Sequence, residues 1–201
     1  MINFLEGAVY SLGFLCLLFA IEYLTRLKKY PKEITRRIAH MLSGIFGAIM
    51  GITLEPWVFI TFVLFFLLII SVSYVRKFFS SIHGVKRRTF GEIFLPLGIL
   101  AAFLISNGET TTFLVSVLIL SISDSVAGFL SDLQFDKKRI LGSSSFFLCS
   151  LLILFLFLRS QPFSLLILQA LLVTLVERIS KYGTDNLSIP ISTSLLLKVF
   201  L

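Results

Sequence analysis

Long apolar stretches alternate with short polar ones along the chain, and the apolar stretches set the architecture. They run at roughly 4–24, 38–54, 56–75, 90–106, 110–130, 143–158 and 162–178. Most come close to the ~20 residues that a helix needs to cross a bilayer. A last apolar piece, 187–201, is short for a span and follows a break at Pro190, so it reads as a short or half-inserted helix. The pattern predicts an all-α fold, a polytopic membrane helix bundle of about seven transmembrane helices plus that short C-terminal apolar segment. The polar stretches are too short for a separate soluble domain, so residues 1–201 read as a single integral-membrane domain. The first apolar run lacks a basic leader and a small-residue cleavage site and ends in Glu22 and Arg26, which makes it a mature helix and not a signal peptide.

Composition agrees. Hydrophobic residues make up 57% of the 201, against ~45–50% in soluble domains. Cys16 and Cys149 both sit inside apolar runs as small core residues. The net charge of +7 invites a nucleic-acid reading, and its distribution argues against one. All basic residues except Arg159 and Lys198 fall in segments 25–37, 76–89, 131–142 and 178–186, which the predicted spans place on one side. The excess of Lys and Arg makes that side cytoplasmic and puts the N-terminus outside. Most of these charges need no role beyond setting topology and meeting anionic headgroups. Gly47 and Gly51 form a GxxxG in the second helix, a sign of close helix packing.

The acids raise a separate question. A carboxylate at the centre of a spanning helix costs about 2.5–3.5 kcal/mol on the insertion scale, less near an interface, and calls for partners. Four stand at predicted cytoplasmic helix ends. Glu92 opens the fourth helix, Asp124 lies shortly before the fifth ends, Glu177 closes the seventh, and Asp185 follows it. Near them in sequence are Arg36, Arg37 and His40, then Arg87, Arg88 and Gly91, then Lys138, Arg139, Gly142 and Ser143, and finally Arg178, Lys181 and Asn186. Carboxylates hold a hard cation, Arg and Lys take phosphate oxygens, and helix N-termini offer N–H groups. The set suits a Mg²⁺-bound polyphosphate, with Gly142-Ser143 at the start of the sixth helix as donors and Asp124 tolerated as a metal ligand. Each residue also has a purely structural account. Asp124 fits an ion pair made for packing, and His40 an interfacial histidine with one backbone partner. Glu92 complements a helix dipole, Glu177 and Lys181 have the spacing of a surface pair, and the serines at 143–145 suit a cap. There is no Ser/His/Asp spacing, HExxH, Cys/His cluster or Walker A motif.

The motifs together resemble the integral-membrane family of dolichol kinase, phytol kinase and farnesol kinase, often labelled in bacteria phosphatidate cytidylyltransferase-like. Arg36-Arg37-Ile-Ala-His40-Met-Leu-Ser-Gly44 is similar to the family's opening, and Arg87-Arg88-Thr-Phe-Gly91-Glu92-Ile-Phe-Leu-Pro96-Leu-Gly98 to its second motif. Asp124-Ser-Val-Ala127 resembles the start of its nucleotide-binding motif, and Lys138 to Phe147 its end. Glu177, Asp185, Asn186 and Pro190 have the spacing of its closing motif. Two departures fall on the phosphate-binding loop. The family usually has two glycines soon after Asp-x-x-Ala, whereas here Gly128 comes early and none lies between 129 and 141. Its Lys-Ser-x-Glu-Gly-Ser is here Lys138-Arg139-Ile140-Leu141-Gly142-Ser143.

The resemblance implies transfer of a phosphoryl group from a nucleoside triphosphate, typically CTP, to the hydroxyl of an isoprenoid alcohol such as phytol, farnesol, dolichol or another polyprenol. It implies Mg²⁺ or another divalent cation as cofactor. The partners it implies are the alcohol in the bilayer, the nucleotide from the cytoplasm and membrane lipids, with no nucleic acid. It gives Asp124, Glu177 and Asp185 to the metal, and Arg88, Lys138, Gly142, Ser143 and Arg37 to the phosphates. His40 or Glu92 orients the hydroxyl beside Asp124. Two other functions share these features: a phosphatidate cytidylyltransferase making a CDP-lipid, and a non-catalytic transporter or assembly factor. A transport pathway calls for polar groups at mid-bilayer and on both sides, and the crowding on one side favours an enzyme.

Overall fold

The structure, a computed structural model, describes residues 2–27, 31–76, 90–133 and 138–200. Eight helices run through the described residues: α1 (Ile2–Leu27), α2 (Lys32–Thr53), α3 (Pro56–Arg76), α4 (Gly91–Ser106), α5 (110–133), α6 (Lys138–Phe157), α7 (Phe163–Ile179) and α8 (Asp185–Phe200). Four hold stretches long and apolar enough to cross a membrane, Phe4–Leu27, Pro56–Ser73, Thr110–Asp132 and Ile140–Phe157. Helix α4 is apolar but has 16 residues, about 24 Å against a hydrocarbon core of ~30 Å. The fold is thus an all-helical bundle with membrane-length helices, and length and apolarity by themselves carry four spans, not the seven expected.

Proline and glycine mark the helix ends. Pro31 and Pro162 precede α2 and α7, and Pro56 is the first residue of α3, where a missing N–H and a fixed φ cost nothing. Asn107 (φ 51°) and Gly108 (φ 88°) close α4 in the left-handed region. Helices α2 and α6 begin at Lys32 and Lys138, several residues ahead of their apolar runs. Good helix formers such as Lys, Glu and Arg carry the helix on, and an apolar run reports only the part in apolar surroundings.

Helix α5 is central. Phe113, Val115, Val117, Ile119 and Leu120 are all buried, and α2, α4, α6 and α8 surround it. It is interrupted by one π-helical turn, Ile119–Ser123, between Thr110–Leu118 and Asp124–Leu133. The glycines of α2 act in packing, as expected. A Cβ at Gly47 would sit 3.0 Å from Ile99 Cδ1, and one at Gly51 would overlap the Phe113 ring.

The expected break at Pro190 does not occur. Helix α8 starts at Asp185 and carries Pro190 inside it. Proline has no N–H to give the carbonyl four residues back, so Pro190 gives none to Asn186. That oxygen lies against Gly98 of α4, where an added Cβ would collide with it. Helices α4 and α8 pack extensively against each other and start side by side. Phe90 N–H donates to the Tyr182 carbonyl (3.1 Å), and Asn186 Nδ2 donates to the Gly91 carbonyl (2.6 Å).

Candidate functional site

The first half of α2, the π turn of α5 and the first turns of α4 and α8 converge on one end of the bundle. Gly44 begins the construction. A Cβ there would overlap Ser121 in the π turn, so glycine lets α2 and α5 approach closely. One turn earlier on α2, His40 Nε2 then lies 3.3 Å from the Leu120 carbonyl and 3.5 Å from Asp124 Oδ2. The single backbone partner expected of a structural His40 is present, and the same nitrogen faces the Asp124 carboxylate. π turns disturb the i→i−4 ladder and recur at functional sites; this one presents a carbonyl and, directly after it, a carboxylate to the same imidazole.

Arg37 is held from three directions. Its Nε and Nη2 donate to Asp132 Oδ2 at 2.9 and 2.7 Å. Its guanidinium lies over Gly128, where a Cβ would overlap it, and Ser125 Oγ donates to its carbonyl at 3.3 Å. The early Gly128 is therefore the seat of an arginine. Asp132 and Ser125 escaped the sequence reading, although a signal existed. Asp124, Gly128 and Asp132 are spaced i, i+4, i+8, which lines them along one helix face.

The acids gather as expected. Asp124 and Asp185 are near enough for the charge of each to act on Glu177, and Asp124 acts on Asp185. Ser143 Oγ donates to Glu177 Oε2 at 3.4 Å. No ion pair joins Glu177 to Lys181, since α7 ends at Ile179. Asp185 lies ahead of the apolar stretch of α8, and burial first, then the Asp124 carboxylate, raise its pKa above the usual range. Among the described residues no group of three or more His, Cys, Asp or Glu is disposed to hold one metal ion. Hard oxygen donors suit Mg²⁺, and Mg²⁺ is usually bound by one or two carboxylates, several waters and substrate phosphates. The donors fit an ion brought with a nucleotide better than a resident one.

Gly142 and Ser143 require a correction. With α6 starting at Lys138, both lie inside the helix, and the unbonded N–H groups are those of the first turn. A Cβ at Gly142 would lie 3.4 Å from Ser131 Cβ, an ordinary contact distance, so the packing of α6 on α5 does not require glycine there. Arg88 lies outside the described residues, as does the side chain of Lys138.

A cavity of about 110 Å³ opens beside this cluster. Arg36, His40, Glu92 and Asn186 line one end, and apolar residues of α1, α2, α3 and α4 line the rest. Arg36 Nε is buried with no hydrogen-bond partner among the described residues. His40 thus stands between two environments, the cavity on one side and the acidic cluster on the other.

The chain is similar to a phytol kinase. It is 25% identical over 194 residues to the phytol kinase of Synechocystis sp., a match covering 87% of this chain and 82% of that protein. No family model matches the chain, and no solved structure does. At 25% identity the match is a distant likeness that runs along most of both chains.

Proposed function

We propose that the protein transfers a phosphoryl group from CTP to the hydroxyl of an isoprenoid alcohol in the membrane, as a single integral-membrane domain. The observation that carries this is the position of His40. One nitrogen links it to Asp124 (3.5 Å), and it also lines the polar end of an otherwise apolar cavity. An alcohol whose head enters this polar end, with its tail in the bilayer, has its hydroxyl beside His40 and Glu92, one residue away from Asp124. The similarity to a phytol kinase points the same way.

In this reading His40 or Glu92 holds the hydroxyl and draws on its proton, which costs little once geometry is set, since phosphoryl transfer is mostly positioning and charge neutralisation. Arg36, with Nε free to turn to a ligand, meets phosphate oxygens, and Arg37 stays on Asp132 and keeps α2 in place against α5. Of Asp124, Glu177 and Asp185, one or two at a time would hold Mg²⁺ arriving with the nucleotide, with water and phosphate oxygens completing its shell. When bound, that ion neutralises charge on the transferring group. Arg88 and Lys138 add cations for the phosphates, and Ser143 steadies Glu177.

The deciding assay uses purified protein in detergent with Mg²⁺, phytol or farnesol, and CTP labelled in either the α or γ phosphate. The expected product is a lipid monophosphate carrying the γ label. Capture of the α label in a CDP-lipid from added phosphatidate, with no alcohol phosphorylated, would identify a cytidylyltransferase instead.

The same reading puts the basic segments and the site on the cytoplasmic side. In a background lacking Cys16 and Cys149, cysteines at Lys28, Lys86 and Lys137 should resist an impermeant thiol reagent in intact cells, while one at Asn107 labels. The reverse pattern would put the acids on the wrong side for cytoplasmic nucleotide.

A further inference from the structure

The two ring nitrogens of His40 have different surroundings. Nε2 lies 3.3 Å from the Leu120 carbonyl oxygen and 3.5 Å from Asp124 Oδ2. A carbonyl oxygen only accepts hydrogen bonds, so Nε2 is the nitrogen that carries the hydrogen. In a neutral imidazole the bond made by one nitrogen fixes the state of the other. Nδ1 is therefore left as a lone pair, and among the described residues nothing bonds to it. The side chain keeps 12% of its surface, and the ring lines the polar end of the cavity beside Arg36, Glu92 and Asn186.

The fold supplies the lock. Leu120 belongs to the π turn, where the i→i−4 ladder is disturbed, and its carbonyl takes a side-chain donor from α2. Gly44 brings α2 within reach, since a Cβ there would overlap Ser121. The cavity, at about 110 Å³, matches roughly three or four liquid waters, which is room for the hydroxyl end of a molecule and not for a long tail. The groups around it differ in what they offer. Arg36 only donates, Asn186 does both, and a carboxylate such as Glu92 accepts over a wide range of directions. An imidazole with a fixed Nε2–H has one lone pair in one direction. We propose that His40 Nδ1 is the atom that accepts the hydrogen bond of the substrate hydroxyl, with the Leu120 carbonyl and Asp124 holding the Nε2–H tautomer. That the hydroxyl belongs to an isoprenoid alcohol rests on the kinase reading; the tautomer rests on the geometry alone. A hydroxyl bound this way has its direction set, and orientation is a large part of phosphoryl transfer.

The chain has two histidines, His40 and His83, so a His83→Gln background with ¹⁵N-labelled histidine reports His40 alone. The sample is the full chain in nanodiscs without nucleotide, with and without farnesol. The nitrogen shifts should show a protonated Nε2 and a bare Nδ1, and farnesol should move Nδ1 while Nε2 stays protonated. An activity arm compares two amides. The polar atoms of asparagine stand on Cγ, as Nδ1 does, and those of glutamine stand one carbon further out, near the place of Nε2. His40→Asn should keep at least roughly tenfold more CTP-dependent farnesol phosphorylation than His40→Gln, whereas a purely structural His40, held through Nε2, favours glutamine. A protonated Nδ1, a doubly protonated ring or an Nδ1 resonance that farnesol leaves unmoved overturns the proposal, as does glutamine matching asparagine in folded variants. Should neither variant fold, the nitrogen shifts of the parent decide. If no alcohol is phosphorylated, the kinase reading falls, while a bare Nδ1 that farnesol moves leaves the hydroxyl site standing.

Discussion

Asp124→Asn is expected to lower alcohol phosphorylation by at least roughly a hundredfold, a barrier increase of ~2.7 kcal/mol, without lowering the melting temperature in detergent. The substitution keeps size and removes only charge. A carboxylate serving packing would leave a cation stranded when neutralised. The charges of Arg37 and Arg36 both act on Asp124; Arg37 already has two bonds to Asp132, at 2.9 and 2.7 Å, so it stays paired, and Arg36 makes no ion pair with Asp124 to lose. Asp124 also shares its surroundings with Glu177 and Asp185, and removing one of three like charges relieves repulsion. The loss should appear in function instead. His40 keeps the Leu120 carbonyl at 3.3 Å but no longer faces a carboxylate, and the acidic cluster loses a donor for the cation. Stabilisation by Mg²⁺-CTP should vanish with activity, because a ligand stabilises only the state that binds it. A variant that melts lower yet keeps the full Mg²⁺-CTP shift would make Asp124 a packing residue.

The largest loss of stability is expected from Gly98→Ala. Alanine normally improves a helix by up to ~1 kcal/mol over glycine, so the sign depends on the neighbours. Here the new methyl would overlap the Asn186 carbonyl oxygen and lie 2.9 Å from Pro190 Cγ. The oxygen is backbone and has no other rotamer to take. Helices α4 and α8 must part, which strains the Asn186–Gly91 bond of 2.6 Å at the mouth of the cavity. Overpacking of this kind costs typically ~1–3 kcal/mol. Gly13→Ala is the internal comparison, since its Cβ would meet only Phe46 Cζ at 4.0 Å. Thermal midpoints should fall for Gly98→Ala and stay level or rise for Gly13→Ala. Equal midpoints would mean that the α4–α8 contact yields freely.

Much of this was legible in the chain because hydrocarbon imposes a simple rule. Apolar runs had to be helices, and all eight appear in the described residues, most of them starting and ending within a few residues of the runs. The convergence of His40, Asp124, Glu177 and Asp185 was legible for a related reason, since polar groups that sit near lipid need one another. What stayed hidden depends on neighbours in space. Pro190 reads as a break in isolation, and only Gly98 on another helix shows where the orphaned carbonyl goes. Gly128 reads as a misplaced loop glycine until Arg37 is seen lying on it. The cavity has no linear signature, because α1, α2, α3 and α4 each contribute a face that looks like ordinary packing. Length and apolarity carry four of the seven expected spans among the described residues; apolar character marks burial as well as lipid contact, and α4 is apolar yet 16 residues long.

The π turn in α5 also has a consequence for insertions and deletions. An α-helix turns each residue about 100° from the last, and the wider turn at 119–123 resets that phase once. Upstream, Ser116 keeps its bond to Ser194 of α8 (2.8 Å); downstream, Asp124, Gly128 and Asp132 look toward α2. Both alignments hold together only because the α-helical stretches on either side contain the number of residues they do. A substitution at Ile122 is absorbed as a local change in packing. Loss of a single residue there would leave an ordinary α turn and be absorbed locally, whereas loss of one from the α-helical stretch on either side would rotate everything beyond it by about a quarter turn or more, handing the carboxylates of α5 to different neighbours while leaving the composition of the chain almost untouched.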